Sequence, residues 1–281
     1  MAALRFSKYE GLGNDFIVVD GTDPIVAQVT PAIVRKLCDR HLGIGADGLL
    51  KTGTNNGRPY MTVINADGSE PEMCGNGIRC IALHLRRNKI IQTDDLVIDS
   101  ASGPHRCVIR ELSDAAAQVE VFMRVPSLDP SDVPVTAQKR LIDEPVTVGD
   151  TTVHLTAVSM GNPHAVTFDP IGSRRLELGP AIEKHSLFPR GTNVGFAVIE
   201  RSGAMTLDVW ERGAGWTLAC GTGACAAAVA AVYTGRARRN EPVEVRLPGG
   251  SLSITVADED SPAQMLGPAR HVFDGAMSVD S

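Results

Sequence analysis

The chain has 281 residues, 43% hydrophobic and 21% charged, with a formal net charge of −6. Its nearest approach to a basic run is Arg236-Ala237-Arg238-Arg239, so no nucleic-acid footprint is expected. No stretch reaches the apolar length of a membrane span, and the opening MAALRFSKYEGLGNDF lacks a signal-peptide core. The expectation is a cytoplasmic protein of two similar lobes or one large α/β unit, in which six cysteines stay reduced.

In chain order, Gly13-Asn14 comes first, and Gly161-Asn162 resembles it later in the chain. Thr30 as N-cap and Pro31 at the first helical position predict a helix carrying Ile33, Val34 and Leu37. Gly43, Gly45 and Gly48 spell GxGxxG, but a helix-like segment precedes them where a dinucleotide fingerprint needs a strand. Tyr60 to Ile64 reads as a strand, followed by Asn65 and a polar loop. Then come the turn Cys74-Gly75-Asn76-Gly77 and a helix with Ile78, Ile81, Ala82 and Leu85 on one face. The stretch around Pro126, Pro130 and Pro134 reads as a crossover. Gly161-Asn162-Pro163-His164 is a tight loop. Met205 to Trp210 alternates as a strand, Glu211-Arg212-Gly213 follows, and Cys220-Gly221-Thr222-Gly223 precedes an apolar helix from Ala224 to Tyr233.

These features repeat. Cys220 stands 146 residues after Cys74, and the same offset relates Glu211 to Asn65 and Val243–Gly249 to Val97–Gly103; Gly161-Asn162 follows Gly13-Asn14 by 148. Matches in one order at nearly one offset point to duplication. The fold class expected is α+β: two pseudo-symmetric lobes, each a mostly antiparallel sheet wrapped around a central helix, with the active site in the cleft between them.

The paired turns carry the chemistry. Helix-start N–H groups lack intrahelical partners and bear partial positive charge. They lower the pKa of a thiol there and can hold a substrate carboxylate. Used twice, the motif gives one carboxylate between two helix ends and a sulfur on each side. That suits removal of an α-proton from one face and delivery of a proton to the other. Cys74 and Cys220 are therefore the candidate acid and base. Arg212 is a candidate clamp for a second carboxylate, Glu211 a partner for an ammonium or a thiol, and His164 a thiolate partner. No Cys/His spacing suggests a metal, and no Schiff-base lysine lies in the paired motifs. Cys38, Cys80, Cys107 and Cys225 read as packing residues.

The segments GLGNDFIVVD, RHLGIGADGLL, NADGSEPEMCGNGIRC, SMGNPH, TNVGF, ERGAGWTLACGTGACA and LPGG resemble the diaminopimelate epimerase family across nearly the whole chain. The resemblance implies cofactor-independent interconversion of LL- and meso-diaminopimelate, toward lysine and cell-wall precursor, with no metal. It implies that Cys74 and Cys220 are the acid/base pair and that Gly75, Asn76, Gly221 and Thr222 hold the reacting carboxylate. It gives the distal end of the substrate to Asn65, Asn162, Asn193 and Arg212, and places Asn14 in the pocket. His164 and Glu211 would tune the thiols, with Glu211 also touching substrate. It further implies a homodimer and lobes that exchange a terminal strand: residues 1–125 with about 265–281, and 126–264. Three positions depart from many members: Gly48 where Gln is common, Trp216 where Glu is common, and Phe273 where some carry Tyr.

Rival readings are another member of the same two-thiol superfamily, such as a proline-type or histidine racemase, a thiol redox protein and a non-catalytic binding protein. Arg212 with three asparagines suits a second amino-acid group, which proline lacks.

Overall fold

The computed structural model describes residues 3–71, 74–201 and 203–278. The chain divides into two compact units, Met1–Val121 with Leu266–Ser281 and Phe122–Met265.

In the first unit, β1 (Ala3–Gly11) and β2 (Asn14–Asp20) form an antiparallel hairpin. The helix α1 (Pro31–Cys38) leads to β3 (Gly48–Asn55), parallel to β2, and β4 (Arg58–Asn65) returns antiparallel to β3. The β3–β4 turn is Asn56-Gly57, with φ of 51° and 80°, the double positive φ of a type I′ hairpin. The helix α2 (Gly75–Arg87) crosses to β5 (Asp95–Ser100), parallel to β4, and β6 (Gly103–Leu112) and β7 (Ala116–Phe122) continue antiparallel. Each parallel neighbour thus follows a helical crossover, as parallel pairing demands.

The glycine-rich stretch after α1 closes that helix. The N–H groups of Ile44 and Gly45 bond to Leu37 O at 2.9 and 3.0 Å, and Ala46 N–H to Cys38 O at 3.1 Å. A Cβ on Gly43 would fall 2.1 Å from Lys36 O, so the glycine is required by its close approach to the helix end.

The second unit contains β8 (Glu144–Val148), β9 (Thr151–Ser159), β10 (Pro163–Thr167), α3 (Arg175–Glu183), β11 (Asn193–Arg201), β12 (Ala204–Glu211), β13 (Gly215–Thr217), α4 (Gly221–Tyr233), β14 (Pro242–Leu247) and β15 (Gly250–Thr255). Its order is β8-β9-β10-β11-β12-β14-β15, with β13 paired to β12. The successive pairings run antiparallel, antiparallel, parallel, antiparallel, parallel, antiparallel.

The last strand, β16 (Gln264–Ser278), pairs antiparallel with β1, from Ala3 opposite Ser278 to Glu10 opposite Arg270. With it included, the first unit reads β16-β1-β2-β3-β4-β5-β6 in the same sequence of orientations. The two units therefore share one wiring. The strand before β9 is its sequence neighbour, whereas the strand beside β1 comes from the end of the chain.

Each sheet wraps a helix. Strands β1 to β6 contact α2, and β9, β10, β11, β12, β14 and β15 contact α4. On α2, Ile78, Ile81, Ala82 and Leu85 are fully buried. On α4, every residue from Ala224 to Ala231 is fully buried. Alanines dominate α4 because strands surround it closely, leaving no face for long side chains.

Candidate active site

The repeat places both thiols alike. Cys74 and Cys220 are the N-caps of α2 and α4, each with extended backbone. Each sulfur accepts a hydrogen bond from the N–H three residues on: Gly77 to Cys74 and Gly223 to Cys220, both at 3.3 Å. The second glycine of each turn is required by that sulfur. A Cβ on Gly77 would sit 3.2 Å from Cys74 Sγ, and one on Gly223 would sit 3.1 Å from Cys220 Sγ. Each sulfur thus occupies space that a side chain would take, facing helix-start N–H groups.

In the first unit, Asn14 begins β2 after Gly13, whose φ is 77°. Asn76 Nδ2 donates to Asn14 Oδ1 at 3.2 Å, and Asn14 Nδ2 donates to Asp47 Oδ2 at 2.9 Å. Arg40 anchors Asp47 at 2.8 Å and Asp15 at 2.6 Å. At the other end, Arg79 donates to Asn76 Oδ1 at 2.8 Å. Asn65 ends β4, and its amide donates to Ser69 Oγ at 3.0 Å, closing the polar loop toward Cys74. Gly48 pairs with Asn65, and a Cβ there would meet Ile64 O at 2.8 Å.

In the second unit, Asn162 follows Gly161, whose φ is 94°. Asn162 Nδ2 donates to Thr222 Oγ1 at 3.4 Å, and the Thr222 hydroxyl lies 3.6 Å from Cys220 Sγ. His164 Nε2 is 3.0 Å from Asn162 Oδ1. Burial, reinforced by the Arg212 charge, drops His164 to about 3, so the imidazole is neutral and Nε2–H orients the Asn162 amide. Asn193, first in β11, donates to Pro163 O at 2.9 Å and accepts from Arg212 N–H at 2.9 Å. The Arg212 side chain donates to Arg190 O at 3.1 Å.

Glu211 ends β12 and accepts the Thr217 hydroxyl at 2.6 Å. Burial raises its carboxyl above the ordinary value, while Thr217 and Cys220 oppose the shift. Burial pushes the Cys220 thiol well above its usual range, and the Glu211 charge adds to that. Thr222 and the Gly223 N–H pull the other way without prevailing, so Cys220 holds its proton at neutral pH. Cys74 is only partly buried. Trp216 in β13 stacks edge-on to Trp210 at 5.5 Å, on the strand that ends in Glu211.

Several participants belong to no local motif. Arg79 is charged and fully buried within α2. Its clue is the repeat, in which Cys225 takes the matching place on α4. Asp47 and Arg40 lie in the glycine-rich segment RHLGIGADGLL, where no spacing singles out its charged residues. Glu183 on α3 accepts Trp210 Nε1–H at 2.6 Å and Gly213 N–H at 3.1 Å, fixing the loop that bears Arg212.

Each half-arrangement offers a sulfur, helix-start N–H groups for a carboxylate and oriented amides, which are the parts of proton transfer at an α-carbon. Among the described residues no group of three or more metal-ligating side chains occurs, and no helix is long and apolar enough to cross a membrane.

A family model described as diaminopimelate epimerase matches residues 6–126 and 156–272. The chain is 46% identical to a diaminopimelate epimerase of Synechocystis sp., covering 99% of this chain and 100% of the relative. It is 43% identical to a chloroplastic diaminopimelate epimerase of Oryza sativa subsp. japonica, covering 98% and 80%. Among solved structures, a probable proline racemase from Agrobacterium radiobacter superposes with TM-score 0.69 at 16% identity over 99% of this chain and 93% of that one. A hydroxyproline epimerase from Agrobacterium vitis gives 0.67 at 15% identity, over the same 99% and 93%. At such identities the structures speak for the fold alone.

Proposed function

The chain belongs to the diaminopimelate epimerase family, isomerases of the racemase and epimerase type, and on that premise we propose how its residues share the inversion of one α-carbon of diaminopimelate. The observation that carries the reading is the repeated N-cap thiol, each sulfur bonded by a glycine N–H at 3.3 Å.

Cys220, kept protonated by burial and by Glu211, is the proton donor, and Cys74, its counterpart in the repeat, is the base. For one isomer, Cys74 takes the α-proton: the C–H bond breaks and an S–H bond forms. The Cys220 S–H then breaks and a C–H bond forms on the opposite face. The two sulfurs end with exchanged protonation, and the reverse reaction restores them. Carbanion charge spreads into the carboxylate. N–H groups of Gly75, Asn76, Gly221 and Thr222 stabilise it there without reorganising. Asn65, Asn162, Asn193 and Arg212 hold the distal amino-acid group, with Asn14 lining the pocket. Glu211 receives an ammonium and tunes Cys220, and His164 acts by orienting Asn162. The two sulfurs suffice as acid and base, with no cofactor or metal in the scheme. We place the reaction in the cytoplasm, in lysine and cell-wall precursor synthesis, and the active form is a homodimer.

The test is reduced protein in deuterated water with LL-diaminopimelate and no added cofactor. Deuterium should enter at the α-carbon; absence of exchange overturns the reading. Cys74→Ala and Cys220→Ala should each lower epimerisation by roughly 10³-fold, the scale of a lost acid or base. A proline-type activity would appear instead as exchange into L-proline.

A further inference from the structure

We propose that Arg79 is a positioning residue of this isomerisation, holding the Gly75-Asn76 carboxylate cradle in register with the Cys74 sulfur; the inference rests on the function proposed above. Arg79 has the largest of the fully buried side chains. It lies one turn into α2 and donates to Gly75 O at 3.0 Å, to Asn76 Oδ1 at 2.8 Å and to Pro268 O of β16 at 3.1 Å. Gly11 makes room for it: a Cβ there would meet the guanidinium nitrogen at 3.3 Å.

A guanidinium only donates, which fixes everything beyond it. Asn76 must turn its oxygen to Arg79, so its nitrogen faces Asn14 Oδ1. Asn14 must then turn its own nitrogen to the Asp47 carboxylate. One buried cation thereby orients two amides assigned to substrate and braces the carbonyl of the first cradle residue. It also sets positive charge behind helix-start N–H groups, where charge develops on the substrate carboxylate. The second unit does not repeat the device, because Cys225 stands at the matching position and Thr222 replaces Asn76. The two cradles are alike in backbone and unlike in charge: a cation behind Cys74, a carboxylate beside Cys220.

The experiment compares wild type, Arg79→Lys and Arg79→Met. Folding is followed by thermal melting and active sites are counted by alkylation. Wild-type exchange into substrate, run alongside, reports on the underlying reading by itself. Among folded molecules, kcat in Arg79→Met should fall by roughly 10²-fold with KM changed less than about threefold, as expected for a cradle displaced by a fraction of an ångström. The pH midpoint for alkylation of Cys74, read by peptide mass spectrometry, should rise by about one unit. Arg79→Lys should restore the alkylation midpoint but only part of kcat, since an ammonium keeps the charge and loses the fork. Unchanged kcat per folded site and an unchanged alkylation profile in Arg79→Met would overturn the proposal. Failure of both variants to fold would also overturn it, making Arg79 a structural residue only.

Discussion

Asn76 donates its side-chain amide to Asn14 at 3.2 Å, and 146 to 148 residues later Asn162 and Thr222 form the matching contact at 3.4 Å. In both units the residue after a positive-φ glycine reaches the second residue of the wrapped helix. The contact ties the hairpin turn to the helix start, so N–H groups and side-chain amides keep one spacing. The polar atoms differ: amide to amide in one unit, amide to hydroxyl in the other.

Alanine at Gly77 or Gly223 should separate stability from activity. Alanine gains about 1 kcal/mol of helix propensity over glycine, while crowding the sulfur costs about 1–3 kcal/mol. The melting temperature should therefore move by only a few degrees. The sulfur must shift to clear a Cβ at 3.2 or 3.1 Å, and kcat/KM should fall by roughly tenfold or more. Full activity in both variants would show that sulfur placement tolerates the crowding.

Glu211→Gln should make Cys220 easier to ionise. The Glu211 charge is one of the influences raising that thiol, and glutamine removes it while keeping an acceptor for Thr217. The alkylation midpoint of Cys220 should drop by about one unit. Epimerisation should nevertheless slow, because the substrate ammonium loses its carboxylate partner. A variant with an unmoved Cys220 midpoint would remove Glu211 from thiol control.

Two buried histidines give stability a definite pH dependence. His164 is lowered from 6.5 to about 3 and His84 to about 4, each chiefly by burial. The folded state holds them neutral, whereas the unfolded chain binds protons at 6.5. Their contribution is fully present above pH 6.5 and is lost as pH falls toward the folded values. Between pH 7 and pH 5 each should cost about 2 kcal/mol. Urea melts at the two pH values measure the loss, and His164→Gln should remove about half of it. Equal stability of wild type at both values would contradict the buried neutral imidazoles.

Removing residues 266–281 should abolish the fold of the first unit rather than trim it. β1 would lose its β16 partner from Ala3 to Glu10 and keep only β2, and Arg79 would lose Pro268 O. Each buried group left unsatisfied costs about 1–3 kcal/mol. Circular dichroism and proteolysis of the shortened chain check this: the first unit should be digested while Phe122–Met265 resists.

The thiol turns, the helices behind them and the family were legible because each leaves a local pattern. Thr30-Pro31 starts a helix through capping, and the stripe from Ile78 to Leu85 shows one buried face. The repeat was legible because α2 and α4 begin 146 residues apart and have equal length. What could not be read depends on partners distant in sequence. Arg79 looks like a surface charge until β16 and Gly11 enclose it. The shift of His164 comes from burial, which a tight-loop motif does not reveal. Gly48 is a close approach of β3 to the Ile64 carbonyl, where a Cβ would sit 2.8 Å away.

The pairing of β16 with β1 also imposes an order in time. The chain leaves the ribosome from its amino end, so Ala3 waits for Ser278, nearly the longest wait this sequence allows. The second unit, Phe122–Met265, has all its strands before that moment arrives. The Cys220 turn can mature before β16 is made, whereas the Cys74 turn completes only when Pro268 reaches Arg79 across 189 positions. A chain interrupted before β16 thus carries one finished sulfur and one unfinished, and paired proton transfer has to wait for its last-made strand.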